Sequence, residues 1–376
     1  MKEKTVTLIH YGELSLKGRN RSLFEIKLQE NIQIMTGGKV LRQRGRFVME
    51  GGNPEALSRV FGISWYASAY VVDKDYESIL KAVLKRVGGI IEGKTDFGVN
   101  ANRSDKGFPM PSMELASRIG SEVAARFGLP VNLKNPSLRI NIEIADRVYI
   151  YFDRIEGLRG FPIGVSGKVL SLLSGGIDSP VSSFLMMKRG CRVDFIHFHV
   201  FSDNNKVFGS KMEELARALD SYQGTSRLHL VPYYPFEMAL LGAGDVKGHE
   251  LILFRRFMAR VACRVAAADG CQALVTGDSL GQVASQTMEN IALFREAASL
   301  PVFQPLIAFD KQEIVDYAKK IGTYDVSIAD YKDCCSIVSS GPRTRANRRR
   351  VEELEKAMNI ESVFGQTMEL ITIHEL

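Results

Sequence analysis

Apolar positions recur along this chain with two periods, and the change from one to the other marks out its elements. Alternation over 5–10 predicts a strand. A basic loop with Lys17, Arg19 and Arg21 follows. Ser22, with Glu25 three residues on, has the spacing of a capping box opening a helix to about Met35. Two short strands are predicted within 40–50, around Arg42, Arg44 and Arg46, then a helix over 54–61 and a strand over 66–72. That β-α-β-β-α-β order suits a small ferredoxin-like module. Helical spacing over 76–87 puts Ile79, Ala82, Val83 and Val87 on one face. A strand over 95–103, a helix over 112–127 and strands over 131–133, 138–144 and 148–152 make a second α+β region.

The dense Gly and Pro positions of 157–167 mark a boundary or hinge. Beyond it the pattern changes. Residues 169–173 form a short apolar run of the kind a strand buried on both faces shows. Further strands are predicted over 192–200, 228–231 and 273–276. Helices over 182–188, 210–223 and 248–268 separate them, the last carrying Arg255, Arg256 and Arg260. Strand and helix in alternation predict a doubly wound parallel sheet, which binds ligands at the carboxyl ends of its strands. The expected organisation is an N-terminal module over 1–53, or out to about 75, a second region over 54–160 and a third over 161–376.

The chemistry concentrates where the first strand of that third region ends. Ser174-Gly175-Gly176-Ile177-Asp178-Ser179 reads as a glycine turn between a strand and a helix, with Pro180 suited to the first helical position. Such a turn collects backbone N–H groups and the positive end of a helix dipole, which makes an anion site. Ser174 and Ser179 add hydroxyls, and Asp178 is suited to hold Mg²⁺ or orient a reacting group. The motif resembles the pyrophosphate loop of the ATP pyrophosphatases, the PP-loop or adenine nucleotide alpha hydrolase-like group, which adenylate their substrates. It lacks the lysine of a Walker loop, which suits cleavage between the α- and β-phosphates.

Two other stretches invite the same reading. Residues 88–95, Gly-Gly-Ile-Ile-Glu-Gly-Lys-Thr, satisfy the Walker pattern letter for letter, but they follow a helix and lead into a strand, the reverse of the required context. Residues 276–287 are polar and glycine-bearing directly after a buried strand, which suits a ligand loop. His197 and His199 lie two apart on one strand; no further residues have metal-ligand spacing, so a satisfied or nucleotide-lining role is expected and no metal site is assigned.

Charge refines the picture. The 376 residues carry a net charge of +6. Residues 1–165 hold 25 Lys/Arg against 18 Asp/Glu, and residues 166–376 hold 24 against 25, so the basic surplus lies away from the phosphate loop. A polyanion held by one part and worked on by another would produce that asymmetry, and so would a solubilising surface charge. No apolar run is long enough to span a membrane, and the polar start is unlike a signal peptide. Five cysteines without framework spacing point to a reducing, cytoplasmic setting.

Seven stretches, in order, resemble the tRNA 4-thiouridine synthetase family (ThiI). They are Tyr11-Gly12-Glu13, Gly107-Phe108-Pro109, Leu172 through Pro180, His197-Phe198-His199, Thr276 through Thr287, Asp310-Lys311 and Cys334-Cys335. The resemblance implies a THUMP RNA-binding domain over 54–160, with Arg103 and Lys106 as tRNA-contact candidates, and a PP-loop catalytic domain over 161–376. It implies that Leu172, Leu173, His197, Phe198, Arg255, Gly277 and Gln286 line an ATP site together with Ser174, Gly175, Gly176 and Ser179. Asp178 and Lys311 match positions required for catalysis. The implied reaction uses ATP with Mg²⁺ to adenylate the uridine at position eight of tRNA, then replaces its 4-oxygen with sulfur.

A nucleophilic sulfur must be accessible. Cys334 and Cys335 follow polar Tyr331-Lys332-Asp333, so they are the expected sulfur-handling residues, Cys335 ahead of Cys334; Cys191, Cys263 and Cys271 are expected to be buried. The basic run 343–350 is a candidate for phosphate contact or a solvated tail. Family members with a C-terminal rhodanese domain serve thiazole formation, and this sequence is expected to be a short form without that domain. A cysteine desulfurase as persulfide donor and a homodimer are family-level expectations. The alternatives are a 2-thiocytidine or lysidine type of PP-loop enzyme, and a non-catalytic tRNA-binding protein.

Overall fold

The computed structural model describes residues 4–16, 18, 20–201, 203–331, 334 and 341–376. Lys17, Arg19 and Cys335 therefore lie outside the described residues. The chain divides into two compact units, Met1–Gly160 and Phe161–Leu376.

The first unit is built on one eight-stranded sheet. β1 (Lys4–Tyr11) pairs antiparallel with both β3 (Arg46–Glu50) and β4 (Ile63–Val72), and β2 (Lys39–Gln43) lies at the edge beyond β3. The ten residues of β4 continue the hydrogen bonding into β7 (Val148–Tyr151), β6 (Leu138–Ile144) and β5 (Phe97–Arg103), and β8 (Ile155–Glu156) joins β4 beside β7. The ferredoxin-like strands and the second region thus share a sheet. Helix α1 (Arg21–Thr36) packs beside β2. Helices α2 (Tyr76–Ile90) and α3 (Ser112–Phe127) cover β5, burying Ile79, Val83, Val87, Leu115 and Ile119 against Phe97 and Ile142.

Two expectations change here. Helix α1 begins one residue before Ser22, with Asn20 at the cap position and no side-chain cap bond. Glu25 instead accepts hydrogen bonds from Tyr11 Oη and from Arg21 Nε, at 2.7 Å in the second case, so the acid of the supposed capping box is used by tertiary contacts. Residues 131–133 are not a strand; Val131 makes a single bridge to Phe97 while Val131 and Leu133 stay exposed. Arg46 is buried and pairs with buried Glu143 on β6. The decoy at 88–95 does end a helix and precede a strand, as its context predicted.

The second unit holds the doubly wound sheet. Its order is β13 (Val302–Phe303), β12 (Ala273–Val275), β9 (Lys168–Leu172), β10 (Arg192–His199), β11 (Arg227–Pro232) and β14 (Thr372–Glu375). The first five are parallel and β14 is antiparallel. The chain moves from β9 outward through β10 and β11, then returns to the other side of β9 for β12. That reversal puts the switch in strand order between β9 and β12. β9 is buried along Val169–Leu172, as a strand covered on both faces must be. Helix α7 (Glu250–Ala268) buries Phe254, Phe257, Val261 and Ala262 in the main core.

Candidate active site

The site grows out of the switch between β9 and β12. After β9 the backbone turns through 173–177 and enters α4 (Asp178–Lys188). Pro180 is the third helical residue, not the first; its missing N–H still costs nothing, because the first turn has no intrahelical acceptors for its N–H groups. The turn is braced by its own hydroxyls. Ser179 Oγ accepts from Ser174 N at 2.8 Å and lies 3.1 Å from Ser174 Oγ, and Gly176 N donates to Ser174 Oγ at 3.4 Å.

After β12, Thr276-Gly277-Asp278 comes down on the start of α4. Ser182 Oγ donates to Thr276 O at 2.7 Å. A Cβ added at Gly277 would lie 2.8 Å from Ser179 N and 3.0 Å from Asp178 C, so only glycine lets this strand end touch the phosphate loop.

Asp178 faces two donors. Lys311 Nζ donates to Oδ1 at 2.6 Å and Gln282 Nε2 to Oδ2 at 2.9 Å. Lys311 opens α9 (Lys311–Lys320), whose cap is a complete capping box between Asp310 and Glu313; that cap fixes where the lysine projects. Arg255 on α7 is 8% exposed, and one of its nitrogens donates to both oxygens of Asp278 at 2.8 and 2.9 Å. Asp278 also accepts from Thr276 Oγ1 and Gln304 Nε2. Burial alone would raise the Asp278 pKa, but Arg255, Thr276 and Gln304 outweigh it and hold the carboxyl below its ordinary value. The second guanidinium nitrogen donates to Ser285 O, tying α7 to the loop that carries Gln286.

His197 lies on β10, 1% exposed. Its Nδ1 is 2.9 Å from Leu173 O and its Nε2 is 2.8 Å from Tyr331 Oη. A carbonyl only accepts, so Nδ1 carries the proton and Nε2 accepts from the tyrosine. Burial pushes its pKa down to about 3, outweighing the Leu173 bond, and the ring is neutral at physiological pH. Leu172, Leu173, Ser174, Ile196, His197, Phe198, Phe254, Met258 and Cys334 line a small cavity here.

Cys334 corrects an expectation. It is 1% exposed and its thiol donates to Phe198 O at 3.2 Å, although its sequence neighbours are polar. The other three described cysteines, Cys191, Cys263 and Cys271, are buried as expected, and burial pushes the Cys271 thiol up to about 12. Arg103 is not a free cation either: it donates to Phe108 O at 2.6 Å and to Met110 O, bracing the 107–110 turn, while Lys106 is exposed.

Sequence reasoning missed Gln282, Asp278 and Gln304. All three act through partners distant in the chain; Gln282 and Asp278 stood within the loop marked as ligand-binding, and Gln304 had no local signal. Among the described residues one cluster, Asp194, His229 and Asp269, has metal-ligand proximity. Lys168 lies 2.5 Å from Asp194 and Arg227 3.7 Å from Asp269, so both carboxylates are already matched by cations. It is an ion-pair network below β9–β11, at the opposite end of the strands from the phosphate loop.

Residues 164–360 match the family model described as Thiamine biosynthesis protein (ThiI), residues 6–67 the ThiI ferredoxin-like domain and residues 73–153 the THUMP domain. The chain belongs to the ThiI family. A curated ThiI relative from Caldanaerobacter subterraneus subsp. tengcongensis, named "Probable tRNA sulfurtransferase", is 40% identical over 95% of this chain and 96% of its own. A Brevibacillus brevis protein of the same name is 38% identical over 99% and 96%. Among solved structures, a 4-thiouridine synthetase in complex with RNA and bound ATP superposes with a TM-score of 0.89 at 32% identity, covering 99% of both chains. A Pyrococcus horikoshii Ot3 protein matches with a TM-score of 0.66 at 26% identity, over 85% of this ThiI chain and all of that one. No helix among the described residues is long and apolar enough to cross a membrane.

Proposed function

We propose that this chain is an ATP-dependent tRNA sulfurtransferase that converts the uridine at position eight of tRNA to 4-thiouridine. The observation that carries the reading is the Ser174–Ser179 turn at the sheet's switch, with Asp178 bonded to Lys311 beside it. The full-length similarity to a synthetase solved with RNA and ATP supports it.

The residues suit the chemistry. A ring carbonyl oxygen is a poor leaving group. Attack by O4 on the α-phosphorus forms an O–P bond, breaks the bond to the β-phosphate and releases pyrophosphate. The loop's N–H and hydroxyl groups are placed to receive that anion. Leu172, Leu173, His197 and Phe198 line a small, mostly apolar cavity, the place for adenine in this reading, with Arg255, Gly277 and Gln286 as further candidates for the nucleotide site. Mg²⁺ arrives with ATP as part of the substrate. The terminal sulfur of a persulfide then attacks C4 and AMP leaves; a second thiol attacks the remaining S–S bond, which releases the thiolated base and leaves a disulfide for an external thiol to reduce.

Residues 1–53 and 54–160 hold the tRNA in this reading, and 161–376 performs catalysis in the cytoplasm. A cysteine desulfurase supplies persulfide, and two copies acting as a homodimer are compatible with separate binding and catalytic parts. The burial of Cys334 favours Cys335 as the residue that receives sulfur.

The test is nucleotide analysis. With tRNA and Mg-ATP the protein is expected to release AMP and pyrophosphate. Release of ADP and phosphate, or AMP formation indifferent to tRNA, would count against the reading.

A further inference from the structure

The 174–179 turn contains no cation of its own. Arg255 is engaged by Asp278 and Lys311 by Asp178. A third cation reaches the turn from another element. Lys211 opens α5 (Lys211–Asp220), whose cap is Ser210 accepting from Met212 N. A Cβ built on Gly175 would lie 3.0 Å from Lys211 Cε and 3.5 Å from its Nζ, and 3.1 Å from Tyr331 Cδ1. Gly175 is not in the left-handed region, so its backbone torsions do not require glycine. A side chain there would press on the lysine's end and on the tyrosine ring, which would have to give by a few tenths of an ångström. The first glycine of the loop is the gap through which an ammonium meets the anion site.

The lysine's position is held by carbonyl groups. Nζ donates to Ser327 O at 2.9 Å and to Ala329 O at 2.6 Å, at the end of α10 (Tyr324–Ile328). It also lies 5.6 Å from the Tyr331 ring, whose hydroxyl donates to His197 on β10. Two elements and one ring thus hold the charge beside the turn.

We propose that Lys211 binds the β- and γ-phosphates of ATP and carries the charge of the departing pyrophosphate. The inference rests on the ATP-dependent reading above. When the α–β bond breaks, its electron pair goes to the bridging oxygen; Lys211 stays protonated and stabilises that oxygen's anion.

The experiment compares ligands that differ only in phosphates. Affinities for Mg-ATP, pyrophosphate and AMP are measured by calorimetry on the full chain, wild type, Lys211→Met and Lys211→Arg. Losing a charge-assisted contact to phosphate weakens ATP and pyrophosphate binding by about tenfold to a hundredfold in Lys211→Met, with AMP affinity held within about threefold. Lys211→Arg recovers part of the loss. Equal weakening of AMP and ATP would overturn the proposal, since a residue that only shapes the pocket affects both, and so would unchanged ATP affinity. Should Lys211→Met fail to fold, Lys211→Gln, which keeps a donor without the charge, answers the same question. A wild-type protein that binds none of the three ligands would refute the ATP reading itself, an outcome distinct from a failure of Lys211.

Discussion

Asp178→Ala lowers AMP formation by about a hundredfold to a thousandfold, the scale seen when one oriented group is taken from a transition-state site. The carboxylate is the meeting point of Lys311 from α9 and Gln282 from the loop after β12. Removing it leaves the ammonium without its orienting partner and the amide without its acceptor. Lys311→Met has a comparable effect, because the two side chains act as one unit. The double variant is therefore little worse than either single one, and that non-additivity separates a shared role from two independent ones. Lys311 has 49% of its side chain exposed, so the pair contributes little to folding. The melting temperature stays near that of the wild type while activity is lost. Additive losses would contradict the shared role, and a large drop in melting temperature would contradict a catalytic one.

Arg46→Met has the largest expected effect on stability. Arg46 and Glu143 are 7% and 6% exposed at the side chain, one on β3 and the other on β6, and they join parts of the sheet far apart in the chain. Tyr151 Oη also donates to Glu143, at 2.7 Å, and His10 Nε2 lies 3.5 Å away. Removing one partner of a buried pair strands the other charge, at a cost of about 3–5 kcal/mol. The transition of the first unit falls by roughly 10 °C or more, read by calorimetry or by circular dichroism.

The same pair predicts acid sensitivity. Burial alone would raise the Glu143 pKa, but His10, Arg46 and Tyr151 outweigh it and hold it at about 2, against 4.5 for an ordinary glutamate. A depressed carboxyl contributes its stability above the unfolded value and loses it as pH falls through the folded one. The loss therefore begins near pH 4.5 and is complete near pH 2, and it amounts to roughly 3 kcal/mol. In Glu143→Gln that acid-dependent part disappears, and the variant's stability changes less between those pH values than the wild type's.

Much of the catalytic unit was legible in the sequence, because β9 and the turn after it carry their information locally. An apolar run, two glycines, hydroxyls and a proline sit within a dozen residues. The doubly wound sheet followed from strand–helix alternation, and its ligand loop from the polar stretch at 276–287; the strand order that puts the switch between β9 and β12 did not. What was hidden depended on contacts between distant segments. Lys211 meets Gly175 across 36 positions. Cys334 has polar neighbours in sequence and an apolar cavity in space. Strand β14 is exposed at most of its positions and pairs only along one edge of the sheet, so no alternation marks it. Ser22 failed as a cap because Tyr11 and Arg21, which local spacing does not weigh, claim Glu25.

The most direct measurement is nucleoside analysis of tRNA after incubation with the protein, Mg-ATP and a persulfide source. The account predicts 4-thiouridine, identified by mass and by its near-ultraviolet absorbance, formed only with ATP and absent with Asp178→Ala. A different thiolated or aminated base, or tRNA that binds yet returns unmodified, would contradict it.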